Sequence, residues 1–158
     1  KNIVCHYKNM PNVEEIKTDG GIRVKVKTEK PKIYDRLKEK FPTIDWEKGL
    51  AIVVGDIIYS KYKLPNHVLA HELVHVRQQL DYVDGVKGWW DEYLASDSFR
   101  FEQELEAYVT QVRYIREHTD QSSRNWRRQM INALALDLAG SMYGNVVSYE
   151  KALQLLKL

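Results

Sequence analysis

The strongest constraint on the fold is a helix that is apolar on most sides and yet carries two histidines. The segment 66–81 follows Pro65 and precedes Gly85, residues that typically flank the start and the end of a helix. Apolar residues occupy most of its circumference, namely Val68, Leu69, Leu73, Val74, Val76 and Leu80. A helix with this pattern is buried, so the imidazoles of His71 and His75 need polar partners inside the protein.

The spacing of these two histidines is typical of a metal site. Residues four apart lie on one helix face, one turn from each other, so His71 and His75 can both present a ring nitrogen to one ion. Glu72 would lie beside that ion without binding it, where it can take a proton from a metal-bound water whose pKa zinc has lowered. The pattern predicts a zinc-dependent hydrolase with Glu72 as general base. The alternative is a chance occurrence on a core helix.

A catalytic zinc usually takes three protein ligands and leaves the fourth position to water. The predicted helix 98–118 has a buried face formed by Phe101, Leu105, Tyr108, Val112 and Ile115. At about 100° per residue, Glu104 lies about 60° from the centre of this face, whereas Glu102 and Glu106 lie about 100° and 140° round on the other side. We therefore predict Glu104 as the third ligand. An ordinary glutamate at the edge of a helix face is the alternative.

Two further residues near the motif are weaker ligand candidates. Asp81, six residues after His75, stands where another class of metallopeptidase has its third ligand, but that class needs a glycine where this chain has Gln78. His67 precedes His71 by one turn, but roughly 12 Å of helix rise separates it from His75, too far to share one zinc. We interpret His67 as structural.

Two segments together resemble the H-E-x-x-H plus E-x-x-A signature of gluzincin metallopeptidases: His71-Glu72-Leu73-Val74-His75 and Glu104-Leu105-Glu106-Ala107. The resemblance is greatest to the minimal single-domain, minigluzincin-like forms of phages and bacteria, and it covers about residues 50–112. It implies Zn²⁺ on His71, His75 and Glu104, Glu72 as base, and a peptide or protein substrate. It also implies that the strand near Ile57 to Ser60 forms the sheet edge along which an extended peptide lies. Relatives often have Asp at the position of Tyr108, where it orients a zinc-bound histidine, so the partner of that ring is not identified here.

The predicted fold class is α+β and zincin-like, in a single domain over residues 1–158. A small N-terminal mixed or antiparallel sheet packs on the metal-bearing helix, and a mostly helical C-terminal half follows. Strands are predicted at 14–17 and 22–27, at 50–54 and 57–60 around the turn Gly55-Asp56, and more weakly at 3–7. Helices are predicted at 31–41, 66–81, 98–118, 124–139 and 149–157.

Composition excludes several other classes of protein. The chain has 24 basic and 22 acidic residues and a net charge of +2, so nucleic acid is not an expected partner, and the basic cluster 124–128 is interpreted as a solvated helix start. The longest apolar run, 50–54, is too short to cross a membrane. The single cysteine, Cys5, excludes an internal disulfide, favours a cytoplasmic location and is predicted to be a small buried hydrophobe.

Several functional details stay open at this stage. Sequence does not choose the residue that stabilises the oxyanion among Tyr93, Tyr108, Tyr114, Tyr143 and His118. The cluster of Trp89 and Trp90 with Tyr93 is interpreted as core or a lid hinge rather than as a specificity cleft. Cys5 or His6 capping the zinc in a latent form is a minor alternative. The alternative function is a non-catalytic protein stabilised by zinc, such as a structural or binding component of a virion. Substrate, oligomeric state and any leader or pro-segment before Lys1 are not specified.

Overall fold

A computed structural model describes residues 13–157, which belong to two compact units, one ending at Val86 and the other beginning at Lys87. The single domain over residues 1–158 stays a prediction. The strand expected at 3–7 and the burial expected for Cys5 lie outside the described residues. Within residues 13–157, none of the helices combines the length and the apolar character needed to cross a bilayer.

The first unit contains a four-stranded mixed sheet. Strands β1 (Val13–Lys17) and β2 (Arg23–Lys27) are antiparallel, as are β3 (Ala51–Val54) and β4 (Ile57–Ser60), which confirms the two predicted hairpins. β2 and β4 join the hairpins as parallel neighbours, giving the strand order β1-β2-β4-β3. Gly55 at the β3–β4 turn has a φ of 63°, a backbone conformation in which a side chain would be strained.

One sequence expectation about this sheet is wrong. The strand at Ile57 to Ser60 was expected to form the sheet edge, but β4 pairs with β2 on one side and with β3 on the other. That expectation came from the resemblance to gluzincins, since hydrophobic alternation predicts which residues form a strand but not which strands become neighbours. Within the described residues, β3 forms the edge on that side of the sheet.

Helix α2 (Asn66–Asp81) has the predicted bounds and packs on the sheet, as expected. Val76 of α2 belongs to one buried cluster with residues from both hairpins, namely Val24, Val26, Val53 and Ile58. The preceding helix α1 (Tyr34–Lys40) begins later than predicted at Pro31. The N–H of Tyr34 donates to the carbonyl of Pro31 at 3.0 Å, so Pro31 opens a turn and the helix follows it.

The second unit is helical. It contains α4 (Asp97–Glu117), α5 (Arg124–Leu138) and α6 (Tyr149–Lys157), each within a few residues of its predicted bounds. Their apolar faces share one core, which includes Phe101, Tyr108, Val112, Ile115, Ile131, Leu134, Leu138 and Leu156. Ser96 caps α4, because its Oγ accepts from the N–H of Phe99 at 3.2 Å.

A further helix, α3 (Gly85–Ala95), was missed by the sequence analysis, which took Gly85 and Gly88 as breaks. Gly85, with a φ of 72°, does mark the helix start, but Gly88 lies inside the helix. An internal glycine costs about 1 kcal/mol relative to alanine. Burial of Trp89, Trp90 and Tyr93 on this helix offsets that cost.

Candidate metal centre

The imidazoles of His71 and His75 face each other on one side of α2. Both side chains are buried, and their Nε2 atoms lie 3.2 Å apart. Two nitrogens that each lie about 2.0–2.1 Å from a tetrahedral zinc ion are separated by about 3.3 Å. The histidine pair therefore has the spacing that a shared zinc requires, as its placement one helix turn apart led us to expect.

Gln78 orients one of these rings, and the sequence analysis missed this role. The Nδ1–H of His75 donates to Oε1 of Gln78 at 2.9 Å, and Gln78 is buried. A hydrogen bond from Nδ1 fixes the tautomer in which Nε2 carries the lone pair, the form that binds a metal. Its position in the sequence could have indicated this role, since Gln78 follows His75 by three residues and residues three apart on a helix are neighbours.

Glu72 is buried on α2, next to His71 in the turn that leads to His75. Burial of a carboxylate is costly unless it interacts with a cation or with hydrogen-bond donors. Glu72 therefore lies in the setting expected for a residue that acts beside a bound cation, and its role as general base stays a prediction.

Glu104 is the inward carboxylate of α4, as the helical wheel predicted. Its exposed fraction is 5%, whereas Glu102 and Glu106 are exposed. The hydroxyl of Tyr93 donates to its Oε1 at 2.6 Å. Burial, followed by the negative charge of Glu104, raises the pKa of Tyr93 well above its usual value, so this hydroxyl keeps its proton at neutral pH.

His71, His75 and Glu104 each offer one ligand atom, and these three atoms lie within 4.8 Å of one another. All three residues are buried, and theirs is the one group of this kind found among residues 13–157. Two imidazoles and one carboxylate form a donor set that catalytic zinc commonly takes. The residues present therefore fit the metal, while their role as ligands stays a prediction.

The weaker ligand candidates lie elsewhere. Asp81 is exposed at the last residue of α2 and does not belong to the group. His67 is half-buried, and burial together with the charge of His71 lowers its pKa. The zinc cap considered for Cys5 or His6 lies outside the described residues.

The candidates for oxyanion stabilisation have different surroundings. Tyr93 is hydrogen-bonded to Glu104, and the hydroxyls of Tyr108 and Tyr143 lie 3.3 Å apart in the core of the second unit. Tyr114 stacks on the exposed His118 with ring centroids 3.8 Å apart.

The aromatic cluster on α3 is core, as its composition favoured. Trp89, Trp90 and Tyr93 are all buried, and the indole N–H of Trp89 donates to Gln103 at 3.0 Å. In the basic cluster, Arg124 and Arg128 are exposed, which agrees with the solvated helix start expected there.

Comparison of the chain with protein-family models, with curated proteins and with solved structures found no match in any of the three. The resemblance to gluzincins therefore rests on the residues of the two motifs.

Proposed function

We propose that this protein is a zinc-dependent metallopeptidase of the gluzincin type, with a zincin-like fold, that cleaves peptide bonds within a chain. The observation that carries the proposal is the pair of imidazole nitrogens 3.2 Å apart on a buried helix that also bears Glu72. The 4.8 Å grouping of Glu104 with this pair supports a third ligand. Three protein ligands leave one position of a tetrahedral ion for water, as hydrolysis requires.

When bound, zinc supplies a polarised scissile carbonyl and a water whose pKa falls to about 7. His71 and His75 would hold the ion through Nε2, and the hydrogen bond from His75 to Gln78 keeps that nitrogen of His75 available. Glu72 would take a proton from the attacking water as the new carbon–oxygen bond forms. It would then pass that proton to the nitrogen of the leaving amine as the carbon–nitrogen bond breaks in the following step.

An extended substrate needs a strand edge for pairing. Strand β3 contacts α2 and is paired on one side only within the described residues. Gln79 of α2 holds the turn at the end of β3, because it accepts from the N–H of Gly55 at 2.8 Å and donates to the carbonyl of Val53 at 2.9 Å. We place the substrate backbone along β3, where main-chain hydrogen bonds provide affinity without sequence preference.

The test of catalysis is the Glu72→Gln variant. Loss of the carboxylate should lower the cleavage of a peptide library by roughly 10²- to 10⁴-fold, because the amide that replaces it cannot take up the proton of the attacking water. Zinc content should not change, since Glu72 is not a ligand. Glu102→Gln, at an exposed position of α4, is the matched control and should cleave like the wild type. If Glu72→Gln cleaves the library as fast as the wild type, the peptidase proposal is wrong.

A non-catalytic protein stabilised by zinc is the second candidate, favoured by the burial of His71, His75 and Glu104. It uses the same ligands but predicts that the wild type binds zinc, turns over no peptide and loses much of its stability on chelation. The peptide-library assay on the wild type decides between the two functions.

A further inference from the structure

The hydrogen bond between Tyr93 and Glu104 has the features of a strong, charge-assisted contact. Its length is 2.6 Å, within the roughly 2.5–2.7 Å that hydroxyl donors show to carboxylates. Both side chains are buried, so solvent does not compete for either partner. The contact therefore restricts the rotation of the Glu104 carboxylate.

The ring of Tyr93 is itself fixed by two tryptophans of the same helix. Trp89 stacks on it with ring centroids 4.8 Å apart and an interplanar angle of 21°, and Trp90 meets it edge-on at 5.2 Å. Such aromatic pairs contribute beyond their buried area and define the position of the ring. The hydroxyl is thus held at one place relative to α3.

The backbone of Tyr93 is fixed by Arg100 of α4. The Arg100 side chain is 1% exposed, its Nη1 donates to the carbonyl of Tyr93 at 2.6 Å and its Nε donates to the carbonyl of Met142 at 2.6 Å. Its Nη2 forms an ion pair with Asp97. Arg100 precedes Glu104 by one helix turn, so both side chains lie on one face of α4. Tyr93 therefore contacts this face twice, through its carbonyl to Arg100 and through its hydroxyl to Glu104.

We propose that Tyr93 is a positioning residue that presents the Glu104 carboxylate to the metal, and that Arg100 holds Tyr93 in place for this purpose. The inference rests on the proposed zinc site. A hydroxyl proton on Oε1 competes with a cation for the electron pairs of that oxygen, so it favours binding of the ion through one carboxylate oxygen rather than two. An ordered carboxylate also loses less rotational freedom when the metal binds, and this raises affinity.

The test measures zinc affinity in the 158-residue chain by competition with a chromophoric chelator. Tyr93→Phe removes only the hydroxyl and should raise the zinc Kd roughly 10- to 100-fold. It should also change the visible absorption of the Co²⁺-loaded protein, which reports the coordination of the ion and which a merely structural role would leave alone. Tyr34→Phe is the matched control, because Tyr34 is also buried and its oxygen accepts a hydrogen bond, from the N–H of Trp46. It should leave both readouts unchanged.

The outcomes separate this inference from the proposed function. If the wild type binds no zinc, both are overturned. If the wild type binds zinc and Tyr93→Phe has the same Kd and the same Co²⁺ spectrum, only the positioning role is overturned. If Tyr93→Phe does not fold, Arg100→Lys is measured instead. Lysine keeps the positive charge but lacks the planar guanidinium that binds the Tyr93 carbonyl. An unchanged zinc Kd in Arg100→Lys overturns the proposal.

Discussion

Gln78 supplies to His75 the support that a carboxylate often supplies to a zinc-bound histidine. An amide oxygen accepts the Nδ1 proton but carries no charge, so it fixes the tautomer while making the ring less basic than an aspartate would. Tyr108, at the position where gluzincins often have Asp, has its hydroxyl 3.3 Å from that of Tyr143. For His75, an orienting hydrogen bond therefore comes from α2 itself, three residues after this proposed ligand.

Replacing Gln78 with leucine should weaken metal binding without removing a ligand. Gln78→Leu keeps the buried volume but leaves the His75 ring free to rotate and to change tautomer, so the zinc Kd should rise by roughly tenfold or more. Chelator competition gives the value. Gln129→Leu, at an exposed position of α5, is the control and should bind like the wild type. Equal affinities for the two variants would mean that Gln78 does not orient the ring.

At the scale of elements, the sequence predicted the helices and strands that are determined by the pattern of neighbouring residues. Pro65 and Gly85, which flank the apolar pattern, indicated the two ends of α2. The helical wheel of α4 identified Glu104 as the buried carboxylate. Local pattern could not predict α3, because the burial of its aromatic residues outweighs the glycine at 88. It also could not place β4 inside the sheet, since strand order depends on pairing between distant segments. The contact of Tyr93 with Glu104 was missed for the same reason, as it joins two helices.

Gln79 connects two elements, and its loss should destabilise the first unit. Its side chain is fully buried and pairs with the N–H of Gly55 and the carbonyl of Val53 at the β3–β4 turn. Gln79→Leu leaves both backbone groups without this partner, which should lower the free energy of unfolding by roughly 2–4 kcal/mol. Urea unfolding at neutral pH measures the loss. Gln154→Leu, exposed on α6, should change stability by no more than about 0.5 kcal/mol. A loss in Gln79→Leu no larger than that would show that water replaces the amide at this turn.

At the scale of the whole molecule, the balance of 24 basic and 22 acidic residues provides no strong field to attract a cation over long distances. Affinity for a metal must therefore come from the short-range chemistry of its ligands. Imidazole nitrogens with one carboxylate favour zinc over magnesium, which prefers oxygen ligands and retains its water. Zinc and magnesium should consequently have different effects on the stability of the chain.

Zinc should raise the melting temperature of the protein, because a ligand that binds the folded chain stabilises it by mass action. Free zinc at about 100 times its Kd adds about 2.7 kcal/mol, which corresponds to a rise in Tm of roughly 5–10 °C for a chain of this length. Magnesium at the same concentration should have no effect, and a chelator should reverse the rise. Glu104→Ala should lose most of the shift, whereas Asp81→Ala and Glu102→Ala, both at exposed positions, should keep it. If the shift is instead lost in Asp81→Ala and kept in Glu104→Ala, Asp81 is the third ligand. If zinc does not raise the Tm of the wild type, the histidine pair binds no zinc.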